Sequence, residues 1–317
     1  MRVAVLDDYQ RVAERMADWA SLGSDVETTF FQDHLDDSDA DGLAERLAPF
    51  ECVVLMRERT PLRESLLERL PALRLVVTTG MRNASLDVAA ARSRGIVVSG
   101  TTGLTDSTAE LAFGLVIALM RGVVREERAL RKGRWQTEVG RELVGSTLGL
   151  LGLGRLGGRM AQLAAAFDMR VVAWSQHLTP ERAAEAGVEL VAKDELFARS
   201  DVVSVHLVLS SRTRGLVGAG ELARMQPTAY LVNTSRGPIV DEEALVDALH
   251  AGRIAGAALD VYDVEPLPAD SPLRTAPGLL LTPHIGYVTE QVYREWFRQV
   301  VENIQSFRRG EPLRELG

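Results

Sequence analysis

Short apolar runs, unbroken by charge, recur along the chain with helix-like segments between them. VAVLD, CVVLM, LRLVVTT and GIVVSG come first, followed by LGLLGLG, RVVAWS, DVVSVHL, AYLVNTS, GAALDVY and GLLLTPH. Strands that alternate with helices over the whole length predict an α/β fold with parallel sheets under covering helices. The runs themselves do not alternate polar and apolar residues, which predicts strands buried on both faces.

A seam falls near residue 100, where GTTGLTDSTAE forms a polar, glycine-rich link into a helix. Ser107 is placed to cap that helix, and Glu110 three residues later would complete a capping box. The helix reads as one long element, TAELAFGLVIALMRGVVREERALRKG, apolar nearly all round in its first half. Such a helix needs cover on more than one side, from a second subunit or from a position between two domains of one chain.

At 317 residues and 34.6 kDa the chain exceeds what one core comfortably fills, so two domains are expected, and 46% apolar residues suffice for both. A formal charge of -8 and a pI near 5.3 argue against a nucleic-acid partner, since phosphate-backbone binding needs clustered Lys and Arg. The single cysteine, Cys52 in ECVVLM, reads as a small core residue and fits a reducing compartment. MRVAVLDDYQ reads as a first strand rather than a secretory signal, and no run has the ~18 apolar residues of a membrane span. A cytoplasmic protein with no membrane partner is expected.

The most informative passage is TLGLLGLGRLGGRMAQLAAAFDMRVVAWS, residues 147–175. A strand leads into Gly152, Gly154 and Gly157, spaced G-x-G-x-x-G, and an alanine-rich helix and a second strand follow. In a dinucleotide-binding βαβ unit one glycine makes the tight turn, one lets the pyrophosphate approach the backbone, and one brings helix and strand together. The free N–H groups at the helix start, from Arg155 and Leu156 onward, then face the phosphates. An acid normally ends the second strand and binds the ribose 2'-hydroxyl, but Ser175 stands there. Serine can still bond a ribose hydroxyl and would not repel a 2'-phosphate. No arginine follows at once, His177 and Arg182 being the nearest cations, so NAD is favoured over NADP.

Three segments each follow a strand-like run: YLVNTSRGPIVDEEAL, GAALDVYDVEPLP and LLLTPHIGYVT. Ligands of open parallel sheets bind beyond the carboxyl ends of the strands, so Arg236, Glu265 and His284 are candidates to converge there. Reduction of a 2-keto acid requires a cation for the carboxylate, a proton donor for the carbonyl oxygen, and a group that stabilises the protonated donor. Arginine, histidine and glutamate suit these three tasks in turn. Asp241 reads as a helix N-cap, and Asp260 as either structural or facing the nicotinamide.

On these motifs, with SDVVSVHLVLSSRTRGLVG and LTPHIG, the sequence closely resembles the D-isomer-specific 2-hydroxyacid dehydrogenase family. The match is densest over 145–290. The resemblance implies two parallel-sheet domains, Rossmann-like and flavodoxin-like, with a cofactor domain at 102–284 inserted in a discontinuous substrate domain, 1–101 and 285–317. It implies that Arg236 binds substrate, Glu265 pairs with the histidine and His284 is the general acid/base. Cofactor-binding positions are then Gly152, Gly154, Arg155, Leu156, Gly157, Ser175, His206, Thr234 and Asp260, and no metal is assigned. A homodimer built on the helix after residue 107 is implied as well. Besides Ser175, the chain departs from the family at Val208, where a proline is usual, and in the carboxylate-binding loop, which reads TTGMRNASLD over 78–87.

Backbone N–H groups near Gly80, Met81 and Arg82 are expected to serve the substrate carboxylate, with the Arg82 and Asn83 side chains adding donors. Arg57 in LMRERTPL matches a substrate-pocket segment. Those cations suit a substrate with a second carboxylate or a phosphate, unless Arg57 and Arg82 point to solvent. The expected activity is NAD- or NADP-dependent hydride transfer at C2 of a small 2-keto or 2-hydroxy acid. The rivals are a cofactor-sensing corepressor-like protein and a dehydrogenase of another small anion, formate or phosphite.

Overall fold

Strands β1 (Arg2–Val5), β2 (Glu27–Phe30), β3 (Cys52–Leu55), β4 (Leu75–Thr78) and β5 (Val97–Gly100) lie parallel in the order β2-β1-β3-β4-β5. This is the flavodoxin-like order. The computed structural model describes residues 1–35, 39–103 and 106–317. Helices α1 (Ala13–Met16), α2 (Ala40–Leu47), α3 (Glu64–Leu67), α4 (Val88–Ser93) and the C-terminal α12 (Glu290–Arg308) accompany this sheet. Val53, Leu55 and Val76 of its central strands are fully buried among Leu43, Leu47, Leu67 and Ala91 of the helices. Cys52 is buried in β3, and burial pushes its thiol up and away from reactivity, as a core role requires.

The second unit holds β6 (Thr147–Leu151), β7 (Arg170–Trp174), β8 (Glu189–Leu190), β9 (Val202–Val205), β10 (Tyr230–Asn233), β11 (Gly256–Leu259) and β12 (Leu279–Leu281). All are parallel, in the order β12-β11-β10-β9-β6-β7-β8. The order reverses between β6 and β9, the Rossmann switch point where dinucleotides bind. Helices α5 (Ser107–Met120), α6 (Val123–Arg131), α7 (Arg155–Ala166), α8 (Pro180–Glu185), α9 (Lys193–Arg199), α10 (Ala219–Arg224) and α11 (Glu242–His250) complete it. Asp241 caps α11, its carboxylate accepting from the Ala244 N–H at 3.0 Å.

Three expectations need correction. The long helix after the seam is two helices, α5 and α6, bent by 61°. The break falls at Gly122, whose φ of 64° is left-handed and outside the helical range. Ser107 does not cap α5 but is its first residue; Asp106 is the N-cap, and its carboxylate is spent on Arg155 and Arg159. The strand-like runs also missed β2 and β8. Both are sheet edges and only partly buried, so neither carries the solid apolar run of a central strand.

The chain divides into residues 1–105 with 289–317 and residues 106–288, a few residues beyond both expected seams at 102 and 285. Hydrogen bonds explain the offset. The Thr102 N–H donates to Gln299 of α12 at 2.8 Å, holding it in the first unit. The Ile285 and Gly286 N–H groups are held by Asp260 of the second. Helix α5 packs on α7 and on β10 and β11, which buries Ala109, Ala112, Phe113, Val116 and Met120. No single helix among the described residues is long and apolar enough to cross a membrane.

Candidate active site

His284 sits in the turn that follows β12, and its backbone is unusual. Its φ is +51°, a region that residues other than glycine seldom enter, and its N–H donates to Thr282 O at 3.0 Å. One carboxylate holds this turn. Asp260, 1% exposed at the end of β11, accepts from Thr282 Oγ1 at 2.6 Å and from the Ile285 N–H at 2.8 Å on Oδ1, and from the Gly286 N–H at 2.8 Å on Oδ2. Burial pushes the Asp260 carboxyl above its ordinary range, while the three hydrogen bonds and the nearby His284 ring pull the other way. Both oxygens of Asp260 are therefore engaged in shaping the turn that carries His284.

His284 Nδ1 lies 2.6 Å from Glu265 Oε2. The other oxygen of Glu265 accepts the Tyr262 N–H at 2.9 Å, so the carboxylate is oriented from its own loop. Tyr262 in turn donates its hydroxyl to Thr282 O at 2.8 Å and ties the ends of β11 and β12 together. The Tyr287 ring packs edge-on against the imidazole at 5.3 Å between centroids. Both partners stay accessible, the histidine side chain at 21% and the glutamate at 32%.

Arg236 follows β10 in a turn built by Asn233. This fully buried side chain donates to Arg236 O at 2.9 Å and accepts the Ser235 N–H at 3.0 Å. A Cβ on the next residue, Gly237, would lie 2.0 Å from the Tyr262 carbonyl carbon. The absence of a side chain there lets the Arg236 turn press against the loop that bears Glu265. A surface cavity of about 650 Å3 lined by Arg214, Asp241, Glu242 and Asp263, among others, is acidic, and none of Arg236, Glu265 or His284 lines it.

The glycine loop has the form a pyrophosphate requires. Gly152 has φ +103°, and a Cβ there would meet His206 O at 2.5 Å. A Cβ on Gly157 would meet Gly152 O at 2.1 Å, which sets how closely α7 approaches the turn. At Gly154 the same atom would meet nothing within 4 Å, so the backbone is open on the side where phosphates would come. The first turn of α7 starts there with Arg155 and Leu156, and the Arg155 guanidinium is drawn to Asp106 at 2.8 Å. At the ends of β9 and β10, His206 Nδ1 and Thr234 Oγ1 are buried without a hydrogen-bond partner among the described residues. Such atoms are rare in a finished structure and mark a place for a ligand. Burial lowers the His206 imidazole to about 4 and keeps it neutral, with Nε2 at 2.9 Å from Ser204 Oγ. These residues fit a dinucleotide.

The comparisons with known proteins agree with this geometry. Residues 113–286 match the family described as D-isomer specific 2-hydroxyacid dehydrogenase, NAD binding domain. The chain belongs to that family. It is 39% identical over 258 residues to a glyoxylate reductase of Korarchaeum cryptofilum, covering 79% of this chain and 78% of that one. It is 36% identical over 275 residues to the D-3-phosphoglycerate dehydrogenase of Archaeoglobus fulgidus, covering 86% of this chain but only 52% of that one, so it spans about half the length of that relative. The crystal structure of a phosphoglycerate oxidoreductase from Vibrio cholerae superposes with a TM-score of 0.92 at 39% identity, over 98% of this chain and 99% of that one.

Within this family member the loop after β4 differs from what its sequence suggested. Asn83 offers no donor to a ligand, because its amide is spent on Arg57 O at 2.7 Å and Thr78 Oγ1 at 2.9 Å. The Gly80 N–H is also used, donating to Thr101 Oγ1 at 2.8 Å. Arg57 folds over the same loop, donating from Nη1 to Thr79 O at 3.0 Å with its guanidinium 5.8 Å from the Trp296 ring centre. Met81 is 41% exposed, and Arg82 is exposed with no partner for its guanidinium among the described residues.

Ser175 follows β7 and is half-buried, and Arg182 lies exposed on α8. Sequence reasoning missed two groups. Asn233 was hidden because its role depends on a turn, although Asn two residues before Ser235 is a recognisable turn former. Arg212 was hidden altogether: Nη1 lies 3.5 Å from His177 Nε2, across 35 residues of sequence.

Proposed function

We propose that the protein is an NAD(P)-dependent D-2-hydroxyacid dehydrogenase, or 2-ketoacid reductase, with His284 as general acid/base. The observation that carries this reading is the 2.6 Å contact of His284 Nδ1 with Glu265, on a turn that Asp260 holds. With Nδ1–H directed to the carboxylate, Nε2 is the nitrogen that exchanges a proton with substrate. The protonated ring donates from Nε2 to the carbonyl oxygen in reduction, and the neutral ring accepts from the hydroxyl there in oxidation. Glu265 stabilises the imidazolium through a charge-assisted hydrogen bond.

The dinucleotide, when bound, supplies or accepts the hydride at C2. Gly152, Gly154, Arg155, Leu156 and Gly157 would hold its pyrophosphate, and Ser175 its ribose. His206 and Thr234 offer the buried polar atoms that lack a partner. Asp260, its oxygens occupied, would act near the nicotinamide through the His284 turn. The Arg236 guanidinium suits the substrate carboxylate, because it grips two oxygens and stays charged. In the first unit the Met81 and Arg82 N–H groups and the Arg82 side chain suit a carboxylate or a further acidic group, while Arg57 shapes that loop.

The test is turnover with NADH and with NADPH against glyoxylate, hydroxypyruvate, pyruvate, phenylpyruvate, oxaloacetate and 2-ketoglutarate, read by nicotinamide absorbance. His284→Ala and Arg236→Ala should each lose about a hundredfold or more in kcat with cofactor affinity kept. Near-normal turnover in either variant rejects these roles. Tight cofactor binding with silence across the panel would favour the sensor reading. The half-exposed apolar side of α5, together with exposed Val123, Leu130, Trp135 and Val139 beyond it, supports a homodimer, which sedimentation would test.

A further inference from the structure

The turns after β6, β7 and β9 share one edge of the sheet, because these strands are neighbours in the order β9-β6-β7. The first is the glycine loop, the second begins at Ser175, and the third carries Arg212. Arg212 Nη1 and His177 Nε2 lie 3.5 Å apart, both side chains are exposed, and among the described residues no carboxylate pairs with either.

The turn that presents Arg212 is also ordered in advance. Thr213 Oγ1 accepts the Ser210 N–H at 2.8 Å and donates to Val208 O at 2.7 Å, and the Arg214 N–H donates to Ser210 O at 3.0 Å. A fixed turn loses little freedom when a ligand engages its side chain. The strand-end acid that would accept from a ribose 2'-hydroxyl and repel a 2'-phosphate is replaced by Ser175.

We propose that Arg212 and His177, together with Ser175, recognise the 2'-phosphate of NADP(H), so that this chain binds the phosphorylated cofactor in preference to NAD(H). The inference rests on the reading that the glycine loop holds a dinucleotide. It departs from the expectation of NAD, which came from the lack of an arginine next to Ser175. The arginine arrives instead from the turn after β9. The guanidinium supplies two parallel N–H groups for phosphate oxygens, and the imidazole and the serine hydroxyl supply one each.

The test is calorimetric titration of the whole chain with adenosine 2',5'-bisphosphate and with adenosine 5'-monophosphate, alongside NADPH and NADH. None of these measurements depends on turnover. The bisphosphate should bind about tenfold or more tightly than the monophosphate, with an advantage that shrinks as salt rises. Arg212→Glu should abolish that advantage, and Arg212→Lys should keep part of it, since a point charge replaces a fork. Equal affinity for the two nucleotides, or a preference unchanged in Arg212→Glu, overturns the proposal and leaves the dinucleotide reading intact. Failure of all four ligands to bind overturns both.

Discussion

Replacing Asp260 by asparagine tests whether one carboxylate holds the His284 turn. Oδ1 accepts two donors and Oδ2 accepts one, two of the three being the backbone N–H groups of Ile285 and Gly286. An amide has a single acceptor oxygen. Placed at Oδ1 it aims its NH2 at the Gly286 N–H, and placed at Oδ2 it aims it at the Ile285 N–H. Either way at least one buried backbone donor loses its acceptor and meets another donor, a loss of roughly 3–5 kcal/mol from the charge-assisted bond and the stranded N–H together. An offset exists, because burial raises the Asp260 carboxyl and the ionised form therefore costs stability that asparagine does not. The net loss falls below that range, and each kcal/mol of it lowers the melting temperature by roughly 2–4 °C for a unit of this size.

Function should suffer more than stability. Without its clamp the turn relaxes from the positive φ at His284, and the 2.6 Å contact with Glu265 is lost. We expect kcat to fall at least about tenfold, with NADH and NADPH affinity changed far less. Chemical denaturation and steady-state kinetics on the same preparation measure both. Wild-type stability with kcat within about twofold would refute the argument that Asp260 organises the turn.

Two further outcomes follow from the same unit. Gly157→Ala places a Cβ 2.1 Å from Gly152 O, a backbone atom that cannot swing away, so the glycine loop must open; dinucleotide affinity should drop about tenfold or more, and retained affinity in a calorimetric titration would contradict the close-approach role. His206 is lowered to about 4 from an ordinary 6.5. The unfolded chain therefore takes up a proton below about pH 6.5 that the folded one refuses until about pH 4, and stability is lost as pH falls through that window. Unit-for-unit conversion gives about 3 kcal/mol, and solvent at the accessible edge of the ring reduces it to roughly 2 kcal/mol. Urea midpoints at about pH 7.5 and pH 5 should converge for wild type and His206→Asn at the acid end, whereas parallel pH slopes would show that the imidazole is not buried neutral.

The central strands were legible because each is buried on both faces and reads as a solid apolar run; β2 and β8, only partly buried at the sheet edges, left no such mark. The glycine loop was legible because its three constraints act within one turn of chain, at Gly152, Gly154 and Gly157. Arg236, Glu265 and His284 could be chosen because each follows a strand, and the parallel order sends all those ends to one edge. The break at Gly122 could not be inferred from the apolar pattern, since a glycine in a helical stretch is a break only when the chain around it takes the left-handed form.

The sequence by itself therefore determined the two sheets and the dinucleotide loop and singled out His284 as the acid/base candidate, all features that residues close together in the chain specify. Only the tertiary structure decided that Asp260 spends both oxygens on the His284 turn, that Asn83 and the Gly80 N–H are spent internally, and that Arg212 meets His177. These contacts join positions 20 to 40 residues apart in sequence, and what brings them together is the packing order of parallel strands, which local pattern does not encode.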